Sequence, residues 1–183
     1  INGKILGEIK AEQNQFNRWR MIHGGVRDTI GLIIKEIPNS SKFSAEQTIK
    51  ACSAYQEADK KAEFDKLNSL NVHTIAQDGL TMNHVQTKTL SVFHPGYRHD
   101  AMVAFPTTNR YCIFDTKLNI DDEINAPLPT GQTTPQLAPT NLFNAQLLGW
   151  VNVKAAKTKA QTAAQFLKER AQKIGLNKDI QTQ

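Results

Sequence analysis

The apolar residues of this chain change their spacing near its middle, and that change constrains the fold more than any other feature. Ile5, Ile9, Phe16 and Trp19 recur at helical intervals. They predict a first helix over Lys4–Ile22, stopped by His23-Gly24-Gly25, where glycine permits a left-handed turn. Val26, Ile30, Ile33, Ile34 and Ile37 predict a second helix over Val26–Ile37, ended by Pro38. Ser44 and Gln47 have the spacing of a capping box, and Ile49, Cys52, Phe64 and Leu67 extend a third and longest helix.

From about His84 the pattern is of strand type, with Val85, Leu90, Val92 and Phe93 among threonines and a break at His94-Pro95-Gly96. Ala101–Phe105 and Tyr111–Phe114 flank the turn sequence Pro106-Thr107-Thr108-Asn109 and predict a β-hairpin. Asn125–Thr140 holds four of the seven prolines and reads as a surface loop. A short amphipathic stretch over Asn141–Trp150 and a basic helix over Val153–Ile174 follow, the latter closed by Gly175. Helices, then an antiparallel sheet, then helices predict an α+β fold: N-terminal helices packed on a small sheet in one domain over residues 1–175, with a polar tail over 176–183. No βαβ alternation, GxGxxG or GxxxxGK[ST] motif supports a nucleotide-binding fold.

Composition narrows the function classes. A hydrophobic fraction of 39%, with 21% charged residues, is that of a globular chain that can bury a core. No apolar run approaches the roughly 20 residues of a membrane span, so a soluble protein is expected. The charge of +5 is spread without a basic block, zinc-finger spacing or aromatic RNA-binding signature, which disfavours nucleic acid. The basic C-terminal helix, with Lys157, Lys168 and Arg170, is a solvated face, with an anionic membrane surface as the alternative reading. Cys52 and Cys112 show no CxxC or disulfide-rich spacing and are read as packing residues in a reducing compartment. His84, His94, His99 and Asp100 match no metal-ligand spacing, so neither metal nor cofactor is expected.

The residues with most chemical content are His99, opening one predicted strand, and Asp115, closing the next. With a three-residue loop, Pro106 to Thr108, His99 falls opposite Asp115; a two- or four-residue loop turns Asp115 to the other face, and the sequence leaves this register open. Side by side, the carboxylate would orient the imidazole, leaving the second ring nitrogen to act as a base toward a thiol.

This stretch, His99 with Ala101–Phe105 and then Ile113-Phe114-Asp115, resembles the His-strand, turn, Phe-Asp-strand half of the YopT-like bacterial effector cysteine proteases. The resemblance covers about Arg98 to Lys117, and Thr116-Lys117 stands where the family commonly has Pro-Asn. It implies a papain-like fold and a thiol hydrolase or acyltransferase acting on a host protein after secretion by a bacterium, with His99 as general base and Asp115 as its orienter. The nucleophile is open: it lies upstream of Ile1, it is Cys52, or it is absent. A nucleophilic Cys52 would make the chain a glutamine deamidase or transglutaminase, whereas its absence would make it a catalytically inactive protein-binding module of the same fold.

Overall fold

Between Gly7 and Ile22 the side chains alternate with a period of two. Glu8 and Lys10 face solvent while Ile9 and Ala11 pack on the core, and Arg18 and Arg20 face outward while Trp19 and Met21 turn inward. A period of two is that of a half-buried strand. In the computed structural model, which describes residues 2–26, 29–116 and 145–156, the predicted first helix is instead β1 (Gly7–Glu12) and β2 (Phe16–Ile22). The predicted second helix is a strand as well, β3 (Ile30–Ile37). Leu32 and Ile34 of β3 face one apolar cluster, and Ile33 and Ile37 face another. A strand buried on both faces reads as a continuous apolar run, which periodicity alone does not distinguish from a helix.

The capping box is formed. Ser44 Oγ accepts from the Gln47 N–H at 3.2 Å, and Gln47 Oε1 accepts from the Ser44 N–H at 2.9 Å. It starts α1 (Ala45–Ala54), but the helix stops at Tyr55 and resumes only after a 3-10 turn, as α2 (Lys61–Lys66). The long third helix is thus two short ones.

Six strands complete the sandwich: β4 (Val72–Gln77), β5 (Leu80–Lys88), β6 (Leu90–Phe93), β7 (Arg98–Ala104), β8 (Arg110–Asp115) and β9 (Gln146–Lys154). One sheet has the order β1-β9-β8-β3-β6 and the other β2-β7-β4-β5; all pairings are antiparallel except β1 with β9. The chain passes repeatedly from sheet to sheet, as in a Greek-key sandwich. The hairpin β4–β5 turns on Asp78 and Gly79, both at positive φ (52° and 88°), the conformation that favours an Asp-Gly pair.

Three layers result. Ile34, Val72, Val103, Tyr111 and Val151 fill the space between the sheets. Phe64, Phe114, Leu147 and Trp150 fill a second core, where α1 and α2 cover the outer face of the five-stranded sheet. The expectation of an α+β, papain-like fold is therefore corrected: the helices are a thin cover on a β-sandwich, because the segments read as N-terminal helices are strands.

Two further expectations change. Cys52 and Cys112 are not separate packing residues; they form a disulfide, Cα–Cα 5.7 Å, tying α1 to β8. The strands around Pro106–Asn109 do not pair as a hairpin, since β7 and β8 belong to different sheets and the segment is a crossover. Glu36 anchors that crossover. Its Oε1 accepts from Thr107 Oγ1 and Asn109 Nδ2, both at 2.7 Å, and its Oε2 from Asn68 Nδ2 at 3.4 Å. Burial opposes charge on Glu36, but the hydrogen bonds from Asn109, Thr107 and Asn68 hold its carboxyl below the ordinary range. The proline-rich loop, most of the C-terminal helix and the polar tail lie outside the described residues; Val153 and Lys154, expected to open that helix, end β9.

Candidate binding cleft

His99 and Asp115 are not brought together as a pair. His99 on β7 lies opposite Met21 of β2 and Gln77 of β4, whereas Asp115 on β8 lies opposite Leu32 of β3 and Gln146 of β9. Asp115 Oδ1 accepts from the Gly31 N–H at 3.0 Å and so ties β8 to β3. His99 is 8% exposed, its ring 4.2 Å from that of Phe93 and 6.4 Å from that of Tyr97. Neither of its ring nitrogens has a hydrogen-bond partner, so no carboxylate fixes its tautomer. The supposed nucleophile is closed too: Cys52 is fully buried and its sulfur is bonded to Cys112. The papain-like reading, and with it the deamidase or transglutaminase reading, requires a free thiol beside an oriented imidazole. The structure has neither among its described residues.

Burial holds the His99 imidazole below its ordinary value of 6.5, with Asp78 pulling the other way and Lys88 adding to the depression. The unfolded chain therefore takes up this proton first as the pH falls. The His99 contribution to stability is complete above about pH 6.5 and is lost below it, as the pH falls toward the folded value. In urea titrations between about pH 7 and pH 5, His99→Phe is expected to flatten the acid dependence of the unfolding free energy. An unchanged slope would assign that dependence to other groups.

A concave feature lies elsewhere, between the two sheets. It is a cleft of about 400 Å³, within the range of ligand-sized pockets. Its apolar walls come from both sheets: Trp19 and Met21 on β2, with Ile9, Leu32, Phe93 and Ile113 across from them on the five-stranded sheet. Trp19 leans on Phe105, ring centroids 6.1 Å apart. At the rim, Arg18 donates to Asp100 Oδ2, and Arg20 Nε donates to Asp100 Oδ1 at 3.3 Å. Burial works against charge on Asp100, but the two guanidiniums outweigh it and hold the carboxyl below its ordinary range. His23 is buried at the same rim, its Nδ1 accepting from the Gly25 N–H at 3.0 Å. Ile5, Ile22 and Val26, on the segments that flank the cleft, are 96%, 71% and 88% exposed. A helical spacing over Lys4–Ile22 hides these residues; the alternation Arg18-Trp19-Arg20-Met21 is their signal in the sequence.

The strand order and the sheet crossings define a cupredoxin-like sandwich. No family model matches the sequence, and no curated protein matches it. Among solved structures, McoA, a multicopper oxidase from the hyperthermophile Aquifex aeolicus, superimposes with a TM-score of 0.51 at 12% identity, over 84% of this chain and 24% of that one. The 2F4 variant of the same enzyme gives 0.50 at 11% identity, over 85% and 25%. A multicopper oxidase from Campylobacter jejuni gives 0.46 at 13%, over 88% and 24%. The chain spans about a quarter of the length of the oxidases it matches. This likeness is one of fold, and it replaces the resemblance to YopT-like proteases drawn from Arg98 to Lys117.

A cupredoxin-like fold raises the question of copper. A blue-copper centre takes two imidazoles and a thiolate, with a weak axial thioether. All five histidines, both cysteines and all three methionines of the sequence lie among the described residues. Both sulfurs that could give a thiolate are in the disulfide. No three His, Cys, Asp or Glu side chains converge among the described residues, and the buried His99 sits between aromatic rings. The residues do not fit a copper centre.

Proposed function

We propose that this chain is a copper-free cupredoxin-like domain that acts through contact with a partner protein and not through redox chemistry. The observation that carries this reading is the Cys52–Cys112 disulfide, which removes the thiolate from a fold that uses one to hold copper. One feature supports contact as the mode of action: large apolar side chains stand exposed beside an apolar cleft, as at protein interaction sites. The disulfide also favours an oxidising compartment over a reducing one. No helix of the described residues is long and apolar enough to cross a membrane.

Titration of the oxidised protein with Cu(II), followed by visible absorption and electron paramagnetic resonance, tests the reading. The expected result is no thiolate-to-copper charge-transfer band and only weak, non-stoichiometric binding. One equivalent of tightly held copper with an intense blue band would overturn it.

A further inference from the structure

We infer that the edge of β2 from Arg18 to Ile22, unpaired among the described residues, accepts an extended strand of a partner polypeptide, one whose apolar side chains enter the cleft while alternating acidic side chains face Arg18 and Arg20. Four observations carry this. First, β2 ends the order β2-β7-β4-β5, so among the described residues it has a ladder partner on one side only. An unpaired edge presents a row of backbone donors and acceptors, the template on which a further strand adds.

Second, the cleft is lined by five consecutive residues of this strand, Arg18 to Ile22. Successive side chains point to opposite faces of a strand. A cavity bordered by all five therefore reaches the strand's edge as well as its inner face.

Third, the space beside that edge is apolar and roofed by the other sheet. An added strand would keep the pleat of its neighbour, so every second side chain would stand beside Trp19 and Met21 and meet Leu32, Ile113 and Leu148 across the gap.

Fourth, the outward face is basic. Arg18 and Arg20 are half and three-quarters exposed and share the single carboxylate of Asp100, leaving one positive charge in excess. A second copy of β2 laid on this edge would set these arginines against their own kind, and like charges on adjacent strands repel. The strand that fits is therefore acidic where it faces out and apolar where it faces in, which a second copy of β2 is not. The inference rests on the reading that the domain works by contact, but the two fail separately: copper uptake bears on the first, and strand binding on this one.

The test uses the full oxidised chain and a synthetic peptide of about seven residues alternating valine or leucine with glutamate, blocked at both ends. Binding is followed by calorimetry and by tryptophan fluorescence, with Trp19→Phe to assign the signal, since Trp150 lies in the second core. Saturable binding that shifts the Trp19 emission is expected. Methylating alternate backbone amides of the peptide, which removes donors to the edge, is expected to weaken it about tenfold or more. Arg18→Gln with Arg20→Gln should weaken the glutamate peptide several-fold and leave the fold intact, and Arg20→Glu should shift preference toward a lysine counterpart. Equal binding of the methylated peptide, equal binding of glutamate and lysine peptides to the unaltered chain, or displacement of the peptide by a simple fatty acid at equal concentration would overturn the inference. So would no binding at millimolar peptide.

Discussion

Removing the Cys52–Cys112 bond is expected to lower the unfolding free energy by about 4 kcal/mol, the loop-entropy value for a link closing a segment of this length. The two residues are 60 apart in sequence, and both are fully buried in the second core with Phe64, Phe114 and Trp150. The bond fixes the helical cover to the central strand β8, so its loss frees α1 relative to the sheet as well as enlarging the unfolded ensemble. Urea unfolding of the oxidised protein beside C52A/C112A measures the difference. A loss below about 1 kcal/mol would show that the helical layer is held by its apolar contacts alone.

Neighbouring residues of β8 should both behave as core residues. Ile113 faces the space between the sheets and Phe114 the helical cover, where its ring meets Phe64 edge-on at 5.1 Å. Ile113→Ala is expected to cost about 2–5 kcal/mol and Phe114→Ala about 3–5 kcal/mol. In a hairpin with one face toward solvent, one of the two substitutions would be nearly silent, within about 0.5 kcal/mol. Denaturant titrations of the two variants thus distinguish three layers from two. A silent Phe114→Ala would remove the outer layer.

How far the fold was legible varies with how locally each element is determined. The α1 start was readable because a capping box is formed between residues three apart, Ser44 and Gln47. The strands near Leu90, Ala101 and Tyr111 were readable from composition. Their partners were not. The segment Pro106–Asn109 has turn residues, but it joins two sheets, and what fixes its path is Glu36, more than 70 residues earlier in the chain. β3 has the pattern of a helix because burial on both faces erases the alternation that marks a strand. In β1 and β2 the alternation was present, and the apolar positions Ile5, Ile9, Phe16 and Trp19 concealed it by also fitting a helical spacing.

The candidate site was less legible than the fold. His99 and Asp115 drew attention as chemical groups, yet sequence proximity placed them on a shared hairpin that does not exist. The cleft draws its lining from β1, β2, β3, β6, β8 and β9, and no local motif records such an assembly. The disulfide was hidden for the same reason, since its cysteines lie on a helix and a strand that only the tertiary fold brings together.

The state of the two sulfurs decides between a copper-free contact domain and a domain with thiol or metal chemistry. Peptide mapping without reduction, with thiol titration in denaturant on protein made in an oxidising compartment, reads that state directly. One linked peptide pair containing Cys52 and Cys112, with no titratable thiol, is the expected result. A folded protein with two free thiols would contradict it and return both sulfurs to the donor set of the domain.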